Sequence, residues 1–249
     1  MRFLQSWVLG CVFGLFLSSF LWAACPPKEK ITQDLLKVFP RLKTVQIQKI
    51  RPSKVPGFCE VVLTLRGRKK SIFYVDENGR FAFLGQLVDF KTGENLTRKH
   101  LEELNRLSLK DLAAIEKVVA FTTGEGKKVV YLVTDPDCPF CKRLEKTLSE
   151  LIKGGQLQVK VILYPLGLLH PQAKKKCVAI ICDKKGWEGL ISGYISENQC
   201  EEGLKKIEET RKLMVQLGIR GTPTLILPDG RVIRGARSKE ELKQKIGLK

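Results

Sequence analysis

The sequence predicts two linked domains, a small α+β unit followed by a larger α/β unit. Residues 129–144 read as a buried strand, an Asp-Pro-Asp turn and a helix, because β-branched residues give way to apolar residues at helical spacing. Residues 157–163 alternate as a second strand, and a strand-helix-strand order implies a parallel pair. The patterning also changes near residue 95, and 249 residues exceed one small domain.

Residues 1–24 have the pattern of a secretory signal peptide. Arg2 supplies a short positive start, residues 3–20 are almost entirely apolar, and Ala23 and Ala24 are small enough for cleavage. We therefore expect the protein to be exported. An uncleaved membrane anchor is one alternative, and a lipid anchor on Cys25, directly after the Ala pair, is another.

Charge and cysteine content narrow the classes of function. The net charge is +18, but the charged residues are spread along the chain without a basic stripe or a recognition motif, so we expect no nucleic-acid binding. Eight cysteines in an exported protein imply disulfides. Cys11 lies in the predicted signal peptide, which leaves an odd number, so at least one cysteine is free, lipidated or paired between chains.

Residues 25–93 are predicted to form the N-terminal domain. A short helix stops at Pro40, strands follow at 45–47, 61–65 and 71–75, and segments 80–84 and 86–90 complete an antiparallel meander. This domain buries little core, so we expect a second copy to stabilise it, with a Cys25–Cys59 disulfide as further support. Residues 94–118 are predicted to be a helical linker in which Ser108 caps a helix together with Asp111.

The Cys-Pro-Phe-Cys motif carries the chemistry. Pro139 falls at the first position of a helix, so Cys138 lies at the helix N-terminus, where free backbone N–H groups and nearby cations favour its thiolate. We interpret Cys138 as a nucleophile and Cys141, one turn further on, as the resolving thiol of a redox-active pair. The alternatives are a purely structural pair and a zinc site that borrows Cys177 and Cys182.

Residues 119–249 are predicted to form the second domain, with a helical insertion at about 168–217. Its helices are expected at 173–184, 187–195 and 199–217, and Cys182 and Cys200 are placed to tie them together. We interpret His170-Pro171 as a loop that starts a helix and not as a ligand site.

Gly221-Thr222-Pro223 is the second chemical signal. A proline directly before a strand lacks the backbone N–H that would bond to the neighbouring strand. A cis Thr222–Pro223 bond explains why a proline is found at this position. The backbone of Thr222 would then be free to bind an extended client beside Cys138, in the manner of strand addition.

Taken together, these motifs resemble the thioredoxin superfamily and, within it, the periplasmic disulfide isomerases of the DsbC and DsbG type. The resemblance rests on Thr134-Asp135 before the Cys138–Cys141 motif, on Gly221-Thr222-Pro223, on the insertion and on the N-terminal domain with its linker. It implies a homodimer joined through cystatin-like N-terminal domains, a catalytic Cys138–Cys141 pair, a structural Cys182–Cys200 disulfide and a membrane reductase of the DsbD type. Cys25, Cys59 and Cys177 lie outside the family pattern, which assigns them no partner, and Cys177 is an alternative to Cys182 as the partner of Cys200.

The sequence therefore predicts a periplasmic thiol:disulfide isomerase or reductase that acts on misoxidised exported proteins. This chemistry needs no metal or organic cofactor. A thiol oxidase or a cytochrome-maturation thiol reductase of the same fold is one alternative, because the Pro139-Phe140 dipeptide tunes the reduction potential. A non-catalytic chaperone is the other.

Overall fold

The structure, a computed structural model, describes residues 25–42, 44–65 and 68–248. The predicted signal peptide, residues 1–24, lies outside the described residues. Within these three ranges, no helix has both the length and the apolar character needed to cross a membrane.

The N-terminal elements form a four-stranded antiparallel sheet with a helix against each face. The elements are α1 (Lys28–Val38), β1 (Gln46–Pro52), β2 (Phe58–Leu65), β3 (Lys69–Asp76) and β4 (Ala82–Phe83), with the sheet in the order β1-β2-β3-β4. Side chains alternate along a strand, so Val61 packs with Ile31 of α1 on one face while Val62 lies on the other. A Cys25–Cys59 disulfide joins the residues before α1 to β2.

The predicted strand at 86–90 does not extend this sheet, so this part of the meander prediction was wrong. Strand β5 (Val88–Asp89) pairs instead with β6 (Glu94–Asn95) in a separate ribbon. The buried Thr97 explains the change of direction, because its hydroxyl accepts a hydrogen bond from Leu87 N at 2.8 Å and also bonds the hydroxyl of Tyr74.

Two helices, α2 (Leu96–Leu104) and α3 (Leu109–Lys117), connect the sheets. The predicted capping box is present, since Ser108 and Asp111 bond each other's backbone N–H. Arg68 also donates two hydrogen bonds to Asp111, at 2.8 and 2.7 Å. The guanidinium holds the pKa of Asp111 well below its usual range, and the pair links α3 to the N-terminal sheet.

The C-terminal elements form a five-stranded sheet in the order β11-β10-β8-β9-β7. In chain order they are β7 (Phe121–Thr123), β8 (Lys128–Thr134), α4 (Pro139–Lys153), β9 (Leu157–Leu163), α5 (Ala173–Cys182), α6 (Gly186–Ser192), α7 (Glu201–Gln216), β10 (Thr224–Ile226), β11 (Val232–Arg234) and α8 (Lys239–Ile246). Strands β8 and β9 are parallel, as predicted, and the other pairs are antiparallel. The short edge strand β7 was not predicted.

Both faces of the C-terminal sheet are buried. Leu132 faces Leu144 of α4, whereas the next residue, Val133, faces Met214 of α7 and Ile115 of α3. Helix α4 is therefore fixed against one face, and its N-terminus lies at the carboxyl end of β8. The helical insertion, α5 to α7, contains a Cys182–Cys200 disulfide.

A glycine fixes the contact between the linker and the C-terminal sheet. Gly230 has φ +84° and its carbonyl accepts a hydrogen bond from Leu107 N at 2.8 Å. A Cβ on Gly230 would lie 2.2 Å from the carbonyl oxygen of Leu107, whereas Gly155, with φ +66°, has open space around it. The two glycines share a positive φ and differ in available space.

We expect Gly230→Ala to lower the free energy of unfolding by about 3 kcal/mol, because it adds a steric clash to the cost of a left-handed alanine. Gly155→Ala should lower the free energy of unfolding by about 1 kcal/mol, since only the cost of a left-handed alanine applies there. Urea denaturation of both variants measures the difference. Equal losses would show that the approach of Leu107 does not constrain the fold.

Candidate active site

Cys138 lies at the start of helix α4, where the local sequence places it. It is the N-cap residue of α4 and Pro139 occupies the first turn, as predicted. Its side chain is only 4% exposed, and its Sγ lies 3.7 Å from the carbonyl oxygen of Thr222. The thiol is thus held between a helix N-terminus and the loop before β10.

Cys141 lies one helical turn further along α4 and is completely buried. Burial raises the pKa of its thiol well above the usual range, although contacts with the Thr134 hydroxyl and the Asp135 backbone oppose the shift. Both cysteines are free thiols in the structure. The two sulfurs therefore differ in depth, and Cys138 is the one that borders the Thr222 loop.

A buried carboxylate organises the loop between β8 and α4. Asp135 has no exposed surface, and its Oδ1 accepts a hydrogen bond from the backbone N–H of Asp137 at 2.8 Å. Its Oδ2 accepts from Leu166 N at 2.7 Å and is 2.9 Å from Nδ1 of His170. His170 is therefore paired with the active-site loop, and the interpretation of it as merely a helix-starting residue was incomplete.

A second buried carboxyl lies beneath the cysteines. Glu145 is 2% exposed and its Oε1 accepts a hydrogen bond from the Thr134 hydroxyl at 2.6 Å. Burial raises the pKa of Glu145 to about 7, while the Thr134 bond and Lys142 oppose the shift. Thr134 thus lies between Glu145 and the buried sulfur of Cys141. Glu145 follows Cys141 by four residues, about one helical turn, and follows Cys138 by seven, about two turns.

The Thr222–Pro223 peptide bond is cis in the structure. The loop that contains it leads into β10, which pairs with β8, so the sheet brings the loop to the cysteine motif. Cys138, Cys141, Thr222 and Pro223, which are far apart in sequence, thereby form one site.

The remaining cysteines lie apart from this site or are inaccessible. Cys25 bonds Cys59, and Cys182 bonds Cys200, so the thiolate zinc site considered above would lack Cys182. Cys177 is free and completely buried, and burial raises the pKa of its thiol well above the usual range. Among the residues that the structure describes, no three His, Cys, Asp or Glu side chains are grouped so that they could hold a metal ion.

Sequence reasoning missed Glu145 and His170. Glu145 left a detectable signal, because it is a charged residue within the apolar face formed by Leu144, Leu148 and Leu151. His170 left none, since its partner Asp135 is 35 positions away in sequence.

Comparison with known proteins agrees with this fold. A family model described as a thioredoxin-like domain matches residues 116–248, more than half of the chain, and one described as the disulfide bond isomerase protein N-terminal domain matches residues 22–98. A probable thiol:disulfide interchange protein DsbC of Bordetella avium is 27% identical over 227 residues, covering 88% of this chain and 76% of the relative. The thiol:disulfide interchange protein DsbC of Escherichia coli K12 is 26% identical over 242 residues, 94% of each chain. A crystal structure of a disulfide interchange protein from Neisseria gonorrhoeae is 32% identical, covers 51% of this chain and 93% of that one, and has a TM-score of 0.40.

The fold and the paired thiols define this protein as an enzyme, a thiol-disulfide oxidoreductase. The chain belongs to the thioredoxin superfamily and, within it, to the DsbC type.

The raised pKa of Glu145 predicts how stability depends on pH. The unfolded carboxyl ionises near its ordinary pKa of 4.5 and the folded one near 7, so the folded state retains a proton that the unfolded state has released. The free energy of unfolding therefore falls as pH rises through this window. We expect Glu145→Gln to match the parent chain at pH 4 and to exceed its stability at pH 8 by up to about 3 kcal/mol.

Urea denaturation at the two pH values, with the active-site cysteines in the same redox state, measures this difference. Glu209→Gln, which alters an exposed glutamate on α7, is the control, and its stability should differ from that of the parent chain by nearly the same amount at both pH values. A Glu145→Gln curve parallel to that of the parent chain would contradict the raised pKa.

Proposed function

We propose that this enzyme rearranges or reduces wrong disulfides in exported proteins, with Cys138 as nucleophile and Cys141 as resolving thiol. The observation that carries the proposal is the position of the Cys138 sulfur, at the N-terminus of α4 and 3.7 Å from the Thr222 carbonyl. A helix N-terminus favours an anionic sulfur, and a thiolate is the form that attacks disulfides.

The reaction begins when the Cys138 thiolate attacks one sulfur of a client disulfide. A mixed disulfide forms and the other client sulfur leaves as a thiolate. If a client thiolate then attacks the mixed disulfide, a new client disulfide forms and Cys138 is released unchanged, which is isomerisation. If Cys141 attacks instead, the client leaves as a dithiol, reduced by two electrons, and the enzyme holds a Cys138–Cys141 disulfide. A membrane thiol reductase of the DsbD type would return those two electrons.

Thr222 and Pro223 are proposed to bind the client. Their loop borders the nucleophile, and a backbone beside a reactive sulfur is suited to pairing with an extended chain. The client disulfide would then be presented to Cys138 in a fixed orientation.

We further propose a periplasmic homodimer. Residues 1–24 would direct export, residues 25–93 would form the dimerisation domain, residues 94–118 the linker and residues 119–249 the catalytic domain. Exposed apolar side chains support an interface in the N-terminal part, since Phe81, Leu84 and Phe90 are 63%, 71% and 97% exposed. Two catalytic domains would face the same client and raise the local concentration of Cys138.

Substitution of the two cysteines tests the assigned roles. We expect Cys138→Ser to lower both insulin reduction and the isomerisation of scrambled substrate by at least about 100-fold, because the nucleophile is lost. Cys141→Ser should accumulate mixed disulfides with clients, visible on non-reducing gels, because the resolving route is absent.

Cys177→Ala is the matched control, since it removes a buried thiol that the mechanism does not use, and it should keep the activity of the parent chain. Substantial activity in Cys138→Ser would contradict the nucleophile assignment. The reduction potential of the Cys138–Cys141 pair then distinguishes an isomerase or reductase from an oxidase.

Removal of the N-terminal domain tests the dimer. A chain of residues 107–249 retains the core around Leu132 and Leu144 and the capping box of α3, so we expect it to fold as a monomer. It should keep dithiol reductase activity and lose most isomerase activity, because isomerisation requires the client to be retained through several exchanges. Sedimentation should show a dimer for the chain without residues 1–24. A monomer there, or equal isomerisation by the shorter chain, would contradict the proposed dimer.

A further inference from the structure

A cavity beside the Thr222 loop is lined by cations and by no carboxylate. Its volume is about 470 Å³. The charged residues that line it are Arg68, Lys69, Arg220 and Arg234. A second cavity, of about 330 Å³, shares three of these cations, adds Lys70 and Arg106, and is also lined by no carboxylate. We refer to the two cavities together as the basic groove.

Most of the charge next to the Thr222 loop is not neutralised. Arg68 is paired with Asp111 at 2.7 Å. Across the part of the chain that the structure describes, Lys69, Arg220 and Arg234 have no carboxylate within 4.0 Å, and all three are exposed. A concave surface that carries unpaired charges of one sign attracts and orients ligands of the opposite sign.

The fold places two of these cations on either side of the client-binding loop. Arg220 precedes Thr222 by two residues, so their Cα atoms are at most about 7.6 Å apart. Arg234 is the cross-strand partner of Thr224. The residue after Arg234 also donates its backbone N–H to the Pro223 carbonyl at 2.9 Å. The basic groove therefore begins at the loop that lies 3.7 Å from the Cys138 sulfur.

We infer that the basic groove binds an acidic segment of the client polypeptide next to the disulfide under attack. This inference rests on the proposed function, because it assumes that the client chain passes along Thr222 and Pro223. An extended chain advances about 3.3 Å per residue, so carboxylates two to four residues from the client cysteine would lie about 7–13 Å from its backbone position. Arg220 and Arg234 line the same cavity as Thr222 and Pro223, so they border the path that such a chain would take. The enzyme would thus select cysteines in acidic surroundings.

The test uses peptides that carry one cysteine in a mixed disulfide with 2-mercaptoethanol, flanked by Glu-Glu, Gln-Gln or Lys-Lys two and three residues from the cysteine. We measure the rate constant for reaction with the reduced full-length protein. At about 20 mM salt the Glu peptide should react at least about tenfold faster than the Lys peptide, and about 0.5 M salt should remove most of the difference.

Arg220→Glu combined with Arg234→Glu should abolish or reverse this preference. Arg220→Lys combined with Arg234→Lys should retain it, because the charge is kept. Lys205→Glu, which reverses an exposed cation on α7 outside the groove, should also retain it. Lys142 and Arg143 lie beside the cysteines in all these variants, so a change in preference reports on the groove alone.

Hydroxyethyl disulfide is neutral, so its reaction tests the reactivity of the thiols without the charge preference of the groove. This distinguishes a failure of the inference from a failure of the proposed function. All the variants should react with it at the rate of the parent chain, which also shows that they are folded. If the parent chain reacts with this reagent but shows no charge preference among the peptides, the groove inference is wrong and the proposed function stands. If the charge reversals leave the preference intact, the inference is again wrong. If the parent chain fails to react with hydroxyethyl disulfide, both are wrong.

Discussion

The active site depends on the burial of one carboxylate, that of Asp135. A buried carboxyl group is costly unless its oxygens are hydrogen-bonded, and here they accept from two backbone N–H groups and face His170. These contacts join the loop after β8 to the loop after β9. Both loops begin at the carboxyl ends of the two parallel strands. This connection adds to the packing of α4 against the sheet, and together they set the place of Cys138.

The two thiols of the motif are chemically distinct although they are three residues apart. Cys138 faces the loop, while Cys141 is enclosed by the sheet and has a raised pKa. Under the proposed mechanism, the second thiol must lose its proton before it can displace a client. A resolving step that is slow for this reason gives the client's own thiols time to attack first, so the depth of Cys141 favours rearrangement over reduction. Glu145, through Thr134, is the titratable group connected to this sulfur.

The sequence predictions were correct where the structure depends on interactions between nearby residues. They failed where it depends on contacts between residues far apart in the sequence. The strand, turn and helix around the cysteines were predictable because Pro139, the apolar spacing of α4 and the β-branched run of β8 act locally. The ribbon of β5 and β6 was not predictable, since hydrogen bonds to Thr97, from a later helix, redirect the chain. Strand β7 has three residues and owes its existence to pairing with β9. The contact between His170 and Asp135 exists only once the parallel strands have formed.

The disulfide of the helical insertion has a consequence for how the protein is maintained. Cys182 and Cys200 are bonded in the same domain in which Cys138 and Cys141 are free. Under the proposed function, such a chain needs electrons withdrawn from one pair during maturation and delivered to the other throughout its working life. One ambient potential maintains both states if the reduction potential of the Cys182–Cys200 pair lies below it and that of the Cys138–Cys141 pair lies above it. Gly203 packs closely against Cys182, since a Cβ there would lie 2.7 Å from the sulfur, and both cysteines of this disulfide are partly exposed. The domain thus holds one cysteine pair as a disulfide and another as thiols, which calls for two different reduction potentials within one fold.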